Sequence, residues 1–171
     1  LRRDAAAKTF TYTDANGNSR EFYDNSTSHS ADRRGRMKGM RDAYGNSAAL
    51  IYDANEELEK VNWNGAGGTE SRTYLYDYHD TLVHIGRLKT VTVRVGGKDV
   101  ERSHYEYWTN GSVGGSENDL KGVRVERFDS TAGVWKTTKR EHYRYWKSGQ
   151  AGGFQHGLKA IVGPETYERM V

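Results

Sequence analysis

Six histidines and no cysteine bound the chemistry open to this protein. Without a thiol there is no disulfide framework and no thiolate nucleophile or metal ligand. Imidazole can ligate metals or move protons near neutral pH, so spacing decides. His79 and His84 lie five residues apart around a turn and match no standard ligand spacing. His104 and His142 precede similar aromatic stretches, and residues that recur in this way are expected to be structural. Asp24, Asp32, Asp42 and Asp53 stand singly among turn-forming residues, where aspartate accepts backbone N–H groups. Gly65-Ala-Gly67-Gly68 is not followed by the Lys-Ser/Thr of a phosphate loop. No catalytic residue, metal or cofactor is therefore expected, and the sequence does not read as an enzyme. Asn25-Ser-Thr27 and Asn110-Gly-Ser112 match the acceptor pattern for N-glycosylation.

The elements that carry these residues repeat. Arg72-Thr-Tyr74-Leu-Tyr76-Asp77 returns as Arg102-Ser-His104-Tyr105-Glu-Tyr107-Trp108 and as Arg140-Glu-His142-Tyr143-Arg-Tyr145-Trp146. Each copy is followed by a Leu-Lys pair, at Leu88, Leu120 and Leu158. With Tyr74 aligned to Tyr105 and Tyr143, the tyrosines are 31 and 38 residues apart and the leucines 32 and 38. Periods of this size indicate stacked supersecondary units that bury their apolar faces only against neighbours. Tyr52-Asp53 to Leu58 is a shorter version of the same plan, and Gly35-Arg36-Met37 parallels Gly86-Arg87-Leu88.

Composition narrows the class. Lys plus Arg number 26 and Asp plus Glu 23, a net charge of +3 with the signs interspersed, which argues against nucleic-acid binding. Hydrophobic content of 35% is low, yet 12 Tyr, 4 Trp and 4 Phe are too many rings for a disordered polypeptide. In a sequence poor in Leu and Ile, these rings are expected to supply much of the core as cross-strand pairs. No stretch approaches the roughly 20 apolar residues that span a bilayer. The sequence begins at Leu1 rather than Met, so a piece of a longer polypeptide is expected.

Strand and turn signals run throughout. Val91, Val93 and Val95 alternate with polar residues, as do the Tyr-x-Tyr segments. Asn16-Gly17, Asn64-Gly65, Gly96-Gly97, Asn110-Gly111, Gly114-Gly115 and Gly152-Gly153 suit tight hairpin connections, with Gly96-Gly97 the strongest. Ala5–Ala7 and the stretch from Ala31 to Tyr44 read as loop or strand. The loops Gly111–Asp119 and Ser148–Gly157 fall at matching places between an aromatic strand and a Leu-Lys strand.

A Tyr-Asp strand, a turn, Gly-Arg-Leu and a β-branched run resemble the YD repeat of Rhs-type proteins. The resemblance rests on Tyr52-Asp53 with Leu58, on Tyr76-Asp77 with Gly86-Arg87-Leu88-Lys-Thr-Val91-Thr92, and on Thr13-Asp14-Ala-Asn-Gly17-Asn18, and spans about residues 9–163. It implies a sheet that spirals into a hollow shell. Such a shell encloses a toxin in bacterial Rhs and insecticidal complexes, and forms part of a cell-surface adhesion protein in teneurins.

The expected fold is all-β: antiparallel hairpins stacked in one continuous curved or spiralling sheet, a single region of approximate units 9–47, 48–71, 72–101, 102–139 and 140–171. The expected role is structural, a wall segment of a shell, tube or filament in a large secreted or cell-surface bacterial protein. The alternatives are part of a toxin cage or a carbohydrate-binding adhesion module. Expected partners are neighbouring repeats or further copies through strand edges, with enclosed cargo or surface glycans as further candidates. The first strand, Thr9 to Asp14, and the stretch before Pro164 are expected to leave both sheet edges open.

Overall fold

A computed structural model describes residues 1–68, 70–81, 83–163 and 166; Pro164 lies outside them. The strands are β1 (Arg2–Asp4), β2 (Thr9–Thr13), β3 (Ser19–Tyr23), β4 (Met37–Arg41), β5 (Ser47–Tyr52), β6 (Leu58–Asn64), β7 (Ser71–Tyr78), β8 (Leu88–Val95), β9 (Lys98–Tyr107), β10 (Leu120–Asp129), β11 (Val134–Tyr145) and β12 (Leu158–Val162). They form one open 12-stranded sheet in sequence order, so every connection joins nearest neighbours. The all-β reading and its repeated hairpins are what the protein adopts. Gly96 and Gly97, with φ of 56° and 79°, make the two-residue turn between β8 and β9, the positive-φ geometry that matches strand twist. Ala5–Ala7 form a turn and Met37–Arg41 a strand, as their sequences suggest.

By Cα packing the protein divides into Leu1–Leu75 with Arg94–Lys98, and Tyr76–Val93 with the residues from Asp99 onward. In the first unit, pairing places Phe10, Phe22, Met40, Ala48, Leu50, Val61, Trp63 and Tyr74 on one face. The other face carries Thr9, Thr11, Glu21, Gly39, Ala49, Asn62 and Thr73. In the second unit, Tyr105 pairs with Val123 and Val123 with Glu141, so by alternation Tyr105 and Tyr143 project from the same face. Leu120 pairs with Tyr107 and Leu158 with Tyr145, which puts both leucines on that face too.

The rings do not make a buried core. Among the described residues Ala48 is the only buried apolar side chain, at 9% exposure. Tyr52, Tyr74, Tyr76, Tyr105, Tyr107, Tyr143 and Tyr145 are half-buried, as are Leu88 and Leu120, while Leu158 is exposed. A single sheet offers each ring a neighbouring strand but no facing layer. Tyr23 and Tyr52 meet edge to face at 6.4 Å, and other ring pairs are mixed, such as Phe128 with Trp135 at 5.4 Å.

The first edge also differs from expectation. β1 pairs with β2 from Arg2↔Thr11 to Asp4↔Thr9, so the edge is a three-residue strand of Arg, Arg and Asp rather than Thr9–Thr13. Short, charged edge strands discourage further pairing.

Candidate functional site

Among the described residues eight hairpins, β2–β3, β3–β4, β4–β5, β5–β6, β6–β7, β7–β8, β9–β10 and β11–β12, close their connections by one local device. A residue at or just past the end of the first strand uses both backbone groups. Its N–H donates to the residue before the second strand, and its C=O accepts from a residue with positive φ. The sets are Asp14 with Asn18 and Gly17, Tyr23 with Arg36 and Gly35, Asp42 with Asn46 and Gly45, Asp53 with Glu57 and Glu56, Gly65 with Glu70 and Gly68, His79 with Arg87 and Gly86, Trp108 with Asp119 and Asn118, and Trp146 with Gly157 and His156, all at 2.8–3.2 Å. This bracket closes after three residues at Asp53 and after twelve at Tyr23.

Alignment on the bracket corrects the repeat register. Tyr76, not Tyr74, corresponds to Tyr105 and Tyr143, three residues before His79, Trp108 and Trp146. Tyr78 corresponds to Tyr107 and Tyr145, and Tyr74 to Ser103 and Glu141. Matching by residue type goes astray because the loop after His79 is shorter than those after Trp108 and Trp146.

The Leu-Lys pair acquires a physical meaning here. Phe22 pairs with Met37 and Glu21 with Gly39; Tyr107 pairs with Leu120 and Glu106 with Gly122; Tyr145 pairs with Leu158 and Arg144 with Ala160. In each case the apolar residue faces the ring and the following lysine, Lys38, Lys121 or Lys159, is the extra residue of a β-bulge. Glu59 has that place between Leu58 and Lys60. Two bulge lysines reach acids on the partner strand, Lys38 to Glu21 at 3.2 Å and Lys121 to Glu106 at 3.5 Å, and Lys89 reaches Asp77 at 3.3 Å. Arg144 stands where those acids would be, and Lys159 instead lies 4.4 Å from the Trp146 ring centre.

Three bracket residues with positive φ are not glycine, and the side chain of each is engaged by a neighbouring loop. Glu56 (φ 63°) is held by Arg33 and by Ser30 Oγ at 2.6 Å; these hydrogen bonds, Arg33's foremost, keep its carboxyl below the usual range. Asn118 (φ 69°) Oδ1 lies 2.9 Å from His84 Nδ1. His156 (φ 67°) Nδ1 lies 2.8 Å from Asp119 Oδ1. Left-handed backbone at such residues costs of order 1 kcal/mol or more, and these clasps offset it. Sequence reading misses Glu56, Asn118, Arg33 and Asp119; only aligning them with Gly35 and Gly86 would expose their backbone.

Gly114-Gly115 and Gly152-Gly153 are not hairpin turns. A Cβ on Gly115 would sit 2.3 Å from Trp108, and one on Gly153 2.2 Å from Trp146. Each loop folds back flat onto the indole of its own bracket. Trp108 Nε1 donates to the Tyr143 carbonyl at 3.1 Å, and Tyr145 N donates to the Gly114 carbonyl at 2.8 Å.

The histidines go to separate places. His79 and His84 meet edge to face at 5.6 Å against Tyr107. His104 Nε2 lies 3.1 Å from buried Glu126, which Arg102 and Arg124 also hold. Burial alone would raise the Glu126 pKa, but the hydrogen bonds from Arg102 and His104 bring it below the usual value. His142 is buried against the Trp108 ring at 5.3 Å, and that burial lowers its pKa. Asp24 is fully buried, bound by Arg3 Nη2 at 2.8 Å and by Ser26 N at 3.0 Å; hydrogen bonds from Ser26 and Arg3 hold its carboxyl far below the usual range. Asp42 and Asp53 cap turns, each accepting two backbone N–H groups on Oδ1. Among the described residues no three His, Asp or Glu side chains are grouped to hold a metal ion, and no helix is long and apolar enough to cross a membrane. Asn25 and Asn110 are both exposed on loops. No family model matches the sequence, and no curated protein matches it.

Proposed function

We propose that this protein is a wall segment: a structural β-repeat of YD/Rhs type within a shell, tube or filament of a large secreted or cell-surface bacterial protein. The supporting observation is the bracket at every long-loop connection, with the same apolar-opposite-ring register and bulge in β3–β4, β5–β6, β9–β10 and β11–β12. Such a repeat gains stability from neighbour contacts along its length, and its near-absence of buried apolar side chains fits a lining rather than a self-contained core. Its partners, on this reading, are further repeats paired through the sheet, more readily at β12 than at the short, charged β1 edge. Cryo-electron microscopy of the polypeptide at its natural length tests this. The expected image is one continuous sheet running through this segment and its neighbours. A segment that stands as a separate domain, its sheet ending in caps on both sides, would overturn the reading.

A further inference from the structure

Three Asn-Gly pairs occur in the sequence, and the fold treats them differently. In Asn16-Gly17 the Gly17 N–H donates to the Asp14 carbonyl at 3.1 Å, and the Asn16 N–H donates to Asp14 Oδ1 at 2.9 Å. In Asn64-Gly65 the Gly65 N–H donates to the Glu70 carbonyl at 2.8 Å, and Gly65 is buried. Asn110-Gly111 is exposed, and the space about Gly111 Cα holds no heavy atom within 4 Å of where a Cβ would lie. The turn is closed outside the pair, by Ser112 N to the Thr109 carbonyl at 3.3 Å. Among the described residues, the Gly111 N–H has no acceptor.

We propose that Asn110 is a self-modifying site, at which the protein turns an asparagine into an isoaspartyl or aspartyl residue without an enzyme. The Gly111 backbone nitrogen attacks Asn110 Cγ, forming a new bond between nitrogen and carbon. The Asn110 Cγ–Nδ2 bond breaks, and ammonia leaves with the proton from Gly111. The resulting five-membered imide then takes up one water at either carbonyl, giving isoaspartate or aspartate. Glycine suits the attack because it lacks a Cβ to crowd the nucleophile and adapts its backbone freely. A nitrogen already donating a hydrogen bond in a tight turn must first be released, and each tenfold of slowing corresponds to ~1.4 kcal/mol of local opening. The product carboxylate would appear in the groove between the two Trp-covering loops, which Lys147 and His156 also line. The same side-chain amide is the one a glycosyltransferase would use, so the two modifications exclude each other.

The test is peptide mapping by mass spectrometry, with isoaspartyl detection, after incubation of the folded protein in mildly alkaline buffer. Conversion is expected at Asn110 at least about tenfold faster than at Asn16 or Asn64. In denaturant the three rates should converge, and Gly111→Ala should slow the reaction at Asn110 in the folded protein. Conversion at Asn16 or Asn64 matching that at Asn110 in the folded state would overturn the proposal, as would an intact Asn110 while the denatured protein reacts.

Discussion

The hydroxyl of Tyr107 donates to the backbone carbonyl of Leu88, 2.8 Å away, one hairpin back along the sequence. Tyr52 does the same to Met37, at 2.7 Å. Ring and apolar residue hold corresponding places in both hairpins, so the bond ties each unit to the one before it. Tyr107→Phe keeps the ring and deletes that tie, and should cost about 1 kcal/mol in a denaturant titration. An unchanged midpoint for both Tyr107→Phe and Tyr52→Phe would mean the bonds contribute nothing.

The bulge lysines separate side chain from spacing. Lys121→Ala removes an exposed ion pair with Glu106 and should cost less than about 1 kcal/mol. Deleting Lys121 closes the bulge yet leaves Leu120 opposite Tyr107 and Gly122 opposite Glu106 in regular antiparallel register, so it removes only the local bend and twist that the bulge adds. That deletion should cost about 1 kcal/mol, little more than the substitution. A loss of about 3 kcal/mol or more from the deletion would show that β10 cannot pair without the bulge.

Glu56 tests the clasp. At a positive-φ position glycine ordinarily relieves strain, so Glu56→Gly should stabilise unless the side chain matters. With Arg33 and Ser30 deprived of that carboxylate, the expected result is a net loss of about 1 kcal/mol, and a larger loss for Glu56→Ala. Thermal unfolding of the two variants decides it; a stabilised glycine variant would reduce the clasp to decoration.

Gly115 and Gly153 should tolerate no side chain. Alanine at either drives a methyl into an indole, and a cost of about 1–3 kcal/mol is expected, accompanied by a change in tryptophan emission. Gly133, with open space around it, gives the comparison; alanine there meets only backbone strain, of order 1 kcal/mol. Equal losses without a change in emission would count against close Gly–Trp packing.

Acid should weaken the fold in two stages. Burial, then the charges of Arg144 and Lys121, lower the His142 pKa below its ordinary 6.5, against a smaller opposing effect of Glu106. The unfolded protein therefore takes up that proton first. Stability is complete above about pH 6.5 and declines as pH falls toward the folded value. Glu56, Glu126 and Asp24 are also lowered, from ordinary values of 4.5, 4.5 and 3.8, so a second decline follows below about pH 4.5. Melting temperature against pH should show both, and His142→Asn should flatten only the first.

Much of the sheet is legible in the sequence because strand alternation and hairpin glycines act locally. Val91–Val95 with Gly96-Gly97 needs nothing beyond its own residues. The Leu-Lys pair is visible too, but its reason lies across the strand, where the ring and the bulge meet. Tyr74 aligns one step wrongly because residue types suggest the match, whereas hydrogen bonds count from the bracket. The left-handed backbone of Glu56, Asn118 and His156 leaves no mark in residue type, since the compensation comes from a neighbouring loop. Gly114-Gly115 misleads for the opposite reason: its need is for flatness against Trp108, not for positive φ.

The bracket closes over three residues at Asp53 and over twelve at Tyr23, with the same two hydrogen bonds at its base. Loop length is thereby uncoupled from strand register. Insertions and deletions that would ruin an ordinary hairpin can accumulate there while the strands remain in place. Lineages carrying such a protein are free to vary one rim rapidly and hold the sheet constant, and an engineer could graft foreign peptides at that rim, between His79 and Gly86 or between Lys147 and Ala151, clear of the Gly153 packing on Trp146.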